Sequence, residues 1–95
     1  MNRYEAMFII KPDLSEEEKK NLFSQIQDVL AKNDGKVSEA RVWQDKRKLF
    51  FPIKRCREAA YYLVDFNAAP LAVANIRQAY KLNENILRVL ITRVK

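Results

Sequence analysis

The pattern of apolar positions changes from strand-like to helix-like within the first 35 residues. Apart from Glu5, residues 4–10 are apolar, aromatic or β-branched, and Pro12 then removes a backbone donor, so they predict a first strand. Ser15 and Glu18 have the spacing of a capping box, which predicts that a helix begins at Ser15. Residues 33–35, with the only glycine, predict a left-handed helix end. The helix has one apolar stripe, which consists of Leu22, Ile26, Val29 and Leu30.

The second half of the chain predicts a hairpin, a helix and a last strand. Residues 37–53 read as one long strand, bent or bulged where residues 44–48 are polar, and a basic turn at 54–58 separates it from a strand at 60–66. Pro70 suits the first turn of a second helix that ends near Leu82. Its buried stripe would be Val73, Ile76 and Tyr80, and a strand over residues 85–94 follows.

The order strand, helix, strand, strand, helix, strand is typical of the ferredoxin-like split βαβ fold, an α+β class. Right-handed crossovers would place both helices on one face of a four-stranded antiparallel sheet and leave the other face open. No linker, repeat or low-complexity tract interrupts the pattern, so we expect one domain over residues 1–95.

Alternation along the strands predicts which side chains reach the open face. The face expected to pack against the helices is uniformly apolar. It consists of residues 4, 6, 8 and 10 in the first strand and of Leu87, Val89 and Ile91 in the last strand. The third strand is ambiguous: one side carries Tyr62, Val64 and Phe66, and on the other side Tyr61 and Leu63 alternate with Asp65. We place Tyr61 and Leu63 on the open face. That face then exposes more apolar surface than a monomeric protein usually does. This favours a contact with protein or RNA over an ordinary scatter of apolar surface residues. The candidate partner-binding residues are Met7, Tyr61, Leu63 and Leu90.

Basic residues are concentrated in one segment of the chain. The sequence has 18 Lys and Arg against 12 Asp and Glu, and its formal charge is +6. Such a segment suits the phosphate backbone of a folded RNA, although a solvated hairpin kept soluble by lysines is the alternative. No acidic residue lies between Lys46 and Arg57, and the six basic residues there are Lys46, Arg47, Lys48, Lys54, Arg55 and Arg57.

The chain lacks the residues on which several classes of enzyme and metal-binding protein depend. The chain has no His, one Cys and one Gly, so neither a zinc site, a catalytic pair nor a glycine-rich phosphate loop is expected. We therefore expect no enzyme activity, no cofactor and no small-molecule substrate. Residues 16–18 are better explained as acids of a first helical turn than as catalytic carboxylates. With no signal peptide and no apolar span of about 20 residues, a cytosolic protein without membrane contact is expected.

Five segments together resemble the family of the sixth protein of the bacterial small ribosomal subunit. They are the opening Arg3-Tyr4-Glu5, the helix after Pro12, residues 46–53 (KRKLFFPI), residues 62–66 (YLVDF) and residues 86–91 (ILRVLI). The resemblance covers nearly the whole chain. It implies a ferredoxin-like structural protein of the ribosome that binds the central domain of small-subunit ribosomal RNA together with the eighteenth small-subunit protein during platform assembly. It also implies RNA contacts at Arg3, Tyr4, the basic residues between Lys46 and Arg57, and Arg88.

The chain departs from this family pattern at two places. Asp45 stands where the family usually has glycine, and residues 50–51 are Phe-Phe instead of Ala-Tyr, so the bend of the second strand is expected to differ. A free-standing RNA-binding or regulatory ferredoxin-like domain remains the alternative. A typical RNA-recognition motif would carry a basic-Gly-aromatic core in its third strand, and residues 59–64 lack it.

Overall fold

The computed structural model describes the backbone of residues 2–53 and 56–94 and the side chains of residues 2–42 and 58–94. The strands of this part form one antiparallel sheet in the order β2-β3-β1-β4, so β2 and β4 are its edges. This arrangement confirms the predicted ferredoxin-like α+β fold. The elements are β1 (Asn2–Ile10), α1 (Glu16–Lys32), β2 (Lys36–Ile53), β3 (Cys56–Ala68), α2 (Ala72–Lys81) and β4 (Ile86–Val94).

The start of α1 follows the predicted capping box. The backbone N–H of Glu18 donates to Ser15 Oγ at 3.2 Å, and the backbone N–H of Ser15 donates to Glu18 Oε1 at 3.1 Å. Two N–H groups that no helical carbonyl could reach are thereby satisfied. The predicted stripe faces the sheet, with Leu22, Ile26 and Leu30 buried and Val29 packed beside them.

The end of α1 has the left-handed residue predicted within residues 33–35. That residue is Asp34, with φ of 58°, and not Gly35. Gly35 is required for space instead, because a Cβ there would lie 2.9 Å from the carbonyl oxygen of Leu30. The N–H of Gly35 donates to that oxygen at 2.7 Å, which closes the helix end.

Two predicted boundaries in the second half are wrong by a few residues. β3 begins at Cys56, which pairs with Ile53, so the predicted turn at 54–58 is mostly strand. α2 begins at Ala72, and Pro70 lies in the turn before it, where its carbonyl oxygen accepts from the N–H of Val73 at 3.3 Å. The predicted apolar stripe of α2 is confirmed, since Ile76 and Tyr80 are buried and Val73 packs against the same core.

The main core lies between the two helices and one face of the sheet. Phe8 meets Tyr80 edge to face with ring centroids 4.8 Å apart, and Phe23 stacks on Tyr62 at 4.1 Å. The Tyr80 hydroxyl donates to the carbonyl oxygen of Ile26 at 2.8 Å, which ties α2 to α1. Burial, and to a smaller extent Tyr62, raises the pKa of Tyr80, so its hydroxyl stays a neutral donor.

The prediction that Leu87 faces the helices is wrong. Ile10 is opposite Ile86, while Ile9 is opposite Arg88, so Leu87 is an extra residue in β4. This bulge resets the alternation of the strand. Ile86 therefore joins the core under the helices, and Leu87 packs on the other side of the sheet, against Ile9.

Candidate functional site

The side of the sheet away from both helices, here called the open face, has an apolar row across three strands. In the strand registers Leu63 is opposite Met7, and Met7 is opposite Leu90. Neighbouring strands lie about 4.8 Å apart, so these side chains are adjacent. Leu90 is 48% exposed, while Met7 and Leu63 are half-buried. Leu63, Met7 and Leu90, here called the apolar row, are three of the four residues predicted to bind a partner protein.

The fourth residue, Tyr61, lies on the open face as predicted but does not protrude from it. Its side chain packs in a small cluster with Ile9, Ala59 and Leu87 and is only 9% exposed. Met7 packs at the edge of this cluster and connects it to the apolar row. The cluster is a second, smaller core, so Tyr61 contributes both to folding and to the floor of the open face.

A row of carboxylates lies beside the apolar row. Glu39 of β2 is opposite Asp65 of β3, and Asp65 is opposite Glu5 of β1. The sequence alone does not predict this row, which we call the acidic row, because it depends on the register between three strands. Glu5 and Asp65 could be assigned to the open face by alternation, but nothing in the sequence shows that Glu39 lies next to them.

The predicted arginines lie at separate ends of the open face. Arg3 and Arg88 are both exposed, and Arg3 precedes Ile9, the residue opposite Arg88, by six positions along β1. At about 3.3 Å per residue they are therefore roughly 20 Å apart. The ring of Tyr4 is in the helix-covered core, 7% exposed and stacked on Phe66 at 5.6 Å. The RNA contact implied for Tyr4 is therefore not supported, because its ring fills the core.

The basic segment, residues 46–57, belongs to a hairpin that extends beyond the rest of the sheet. β1 pairs with β3 only as far as Ala60, whereas the ladder between β2 and β3 continues to Ile53 and Cys56. We call residues 46–57 the basic arm. The backbone of Lys46, Arg47, Lys48 and Arg57 is in these two strands. The side chains of all six basic residues, and Lys54 and Arg55 entirely, lie outside the described part of the chain.

Comparison with known proteins identifies the family of this chain. A family model described as ribosomal protein S6 matches residues 3–93. The chain belongs to the ribosomal protein S6 family. It is 37% identical over 93 residues to small ribosomal subunit protein bS6 of Thermoanaerobacter pseudethanolicus, covering 98% of this chain and 97% of the relative. It is 34% identical, with the same coverage, to bS6 of Caldanaerobacter subterraneus subsp. tengcongensis.

A solved structure agrees with this assignment. The 30S ribosomal protein S6 of Thermotoga maritima superposes with a TM-score of 0.89 at 26% identity, covering 98% of this chain and 87% of that one. The family shows that the protein is a structural component of the small ribosomal subunit, located on the ribosome in the bacterial cytoplasm, and not an enzyme.

Among the described residues, no helix has the length and apolar character needed to cross a membrane. The same residues contain no group of three or more side chains arranged to hold a metal ion.

Proposed function

We propose that this ribosomal S6 family protein binds the central domain of small-subunit ribosomal RNA jointly with the eighteenth small-subunit protein during platform assembly. The RNA contacts are on the basic arm and at the ends of the open face, and the protein contacts are on the apolar part of that face. The RNA contacts are Arg3, Arg88 and the basic residues of the arm, Lys46, Arg47, Lys48, Lys54, Arg55 and Arg57. The partner protein covers Met7, Tyr61, Leu63 and Leu90.

The proposal that the chain binds RNA rests on the concentration of positive charge on the basic arm. The arm holds six basic residues and no acid among residues 46–57, which equals the net charge of +6. The described strands of the arm extend beyond the end of β1, so they project from the rest of the sheet toward the proposed RNA backbone. Arginine donates two parallel hydrogen bonds to a phosphate, and each neutralised phosphate releases a counterion.

The observation that supports the protein part is the apolar row beside the Tyr61 cluster. A Leu90 side chain that is 48% exposed next to half-buried Met7 and Leu63 leaves hydrocarbon in contact with water. Burying such a patch under a partner is favourable by about 25 cal/mol for each Å² removed from water. Family membership adds that the chain works in an assembly of RNA and proteins.

The RNA part is tested by replacing Lys46, Arg47 and Lys48 with Ala and measuring filter binding to a central-domain RNA fragment, with the eighteenth protein present. We expect affinity to fall by about tenfold or more and the slope of log K against log salt to decrease. The matched control replaces Lys20, Lys32 and Arg77, which are exposed on the helices, with Ala.

The control variant should retain affinity within about twofold, because it changes net charge equally but away from the arm. Urea denaturation of both variants checks that folding is intact, since exposed charges contribute little stability. Equal RNA affinity in the two variants would contradict the arm as the RNA surface.

A further inference from the structure

The two edges of the sheet differ in how well they are protected from pairing with another strand. β2, at one edge, contains Pro52, and several register shifts interrupt its pairing with β3. Proline, bulges and charged side chains on an edge strand hinder the addition of a further strand. β4, at the other edge, pairs only with β1 among the described strands. It has no proline or glycine, and apart from two arginines all its residues are apolar or threonine.

A groove of about 500 Å³ lies beside the first half of β4. It is lined by Tyr80, Lys81 and residues 86–90. Leu90 is 48% exposed and Val89 is half-buried, so hydrocarbon of this edge remains in contact with water. A strand added to β4 would run along the groove, cover this hydrocarbon and pair with the outward backbone groups of the edge.

The sequence of β4 is nearly symmetric about its midpoint, Leu90. An antiparallel pair of two β4 strands has a two-fold axis, and an axis at Leu90 places this residue opposite its own copy. Val89 then lies opposite Ile91, and Arg88 lies opposite Thr92, so every opposed pair within residues 88–92 is apolar or uncharged on at least one side. An axis one residue to either side would instead place Arg88 opposite an apolar residue.

The same register brings opposite charges toward each other. Thr92 is opposite Glu5 within one chain, so Arg88 of a second copy would continue the row that contains Glu5 and Thr92. The backbones of Glu5 and that arginine would be two strand spacings apart, about 10 Å, which their two extended side chains can span. Among the described residues neither Glu5 nor Arg88 has an ion pair. The two-fold axis would give two such charge pairs in each dimer.

We infer that two copies of this chain form a homodimer in which their β4 strands pair antiparallel about Leu90 and join the two four-stranded sheets into one. The inference goes beyond the proposed function and does not depend on it, because it concerns the free protein and its sheet edge. An interface made by one strand from each copy is small, so the dimer should be weak, with a Kd of about 10–100 µM.

The first experiment measures dimerisation by sedimentation velocity at concentrations from about 5 to 500 µM, which bracket that Kd. Thr92→Lys places a lysine opposite Arg88 of the second copy but beside Glu5 of its own chain, so it should raise the Kd about tenfold or more without unfolding the monomer. Ser24→Lys, on the exposed side of α1, adds the same charge and should change the Kd by less than about twofold. Adding Arg88→Glu to Thr92→Lys should restore the parent Kd, because the opposed charges then attract.

The second experiment tests the register by cross-linking in a Cys56→Ser background. With Leu90→Cys, the two thiols lie opposite each other, about 5 Å apart at Cβ, and should form an intermolecular disulfide on mild oxidation. With Thr92→Cys, each thiol is roughly 14 Å from its own copy and should cross-link far more slowly.

Three results would each overturn the inference. They are a parent chain that stays monomeric at the highest concentration, unchanged dimerisation of a folded Thr92→Lys variant, and equal cross-linking of the two cysteine variants. Urea denaturation shows whether each variant is folded. RNA binding and binding of the eighteenth small-subunit protein are measured separately, so failure of the dimer leaves the proposed function intact.

Discussion

The two faces of the sheet are formed by alternate residues of the same strands, yet they bury very different side chains. Under the helices, Phe8 and Phe66 are completely buried, and the ring contacts join the sheet to both helices. On the open face the cluster around Tyr61 is small, and it is bordered by a half-exposed Leu90 and by carboxylates. The covered face therefore supplies most of the folding energy, while Leu90 of the open face remains half in contact with water.

The largest effect is expected at the centre of the covered face. Phe8→Ala removes a ring that touches Tyr62 and Tyr80 and leaves a cavity among buried neighbours. We expect the free energy of unfolding in urea to fall by about 3–5 kcal/mol. Phe8→Leu, which refills part of the volume, should lose distinctly less. A loss below about 1 kcal/mol for Phe8→Ala would mean that the covered face does not dominate stability.

A smaller loss is expected on the open face at Tyr61. The ring is 9% exposed but its cluster has only a few members, so Tyr61→Ala should cost about 1–3 kcal/mol of unfolding free energy, less than Phe8→Ala. It should also lower affinity for the partner protein, because the floor of the open face is lost. Tyr61→Phe keeps the ring and serves as the control. A Tyr61→Ala loss equal to that of Phe8→Ala would remove the distinction between the faces.

Local patterns in the sequence were sufficient for the elements and for most of the face assignments. The capping box at Ser15, the stripe of α1 and the placement of Tyr61 and Leu63 follow from spacing that any single strand or helix carries within itself. The fold order then follows because six elements in this order have few ways to pack. Alternation along each strand also placed Leu63, Met7 and Leu90 on the open face. Only the register between the strands shows that these three residues are neighbours.

Features that depend on pairing between distant segments could not be predicted. Leu87 changes face because of a bulge opposite Ile9 and Ile10, and a bulge has no fixed residue pattern. The acidic row joins residues 5, 39 and 65, whose adjacency exists only in the folded sheet. Gly35 shows a third limit, because its lack of a side chain serves the close approach to Leu30 and not the positive φ usually assigned to glycine.

The smallest change in stability, and the clearest separation of folding from binding, is expected at Leu90. Its side chain is 48% exposed at the end of the apolar row, so Leu90→Ala should change the free energy of unfolding by less than about 0.5 kcal/mol. If a partner covers the row, the same change should cost about 1 kcal/mol of binding, or roughly fivefold in Kd by titration calorimetry with the eighteenth small-subunit protein. Leu82→Ala is the matched control, because Leu82 is 74% exposed at the end of α2, away from the open face. Equal binding by the two variants would show that the exposed hydrocarbon of the open face is ordinary surface, and that only the Tyr61 cluster matters there.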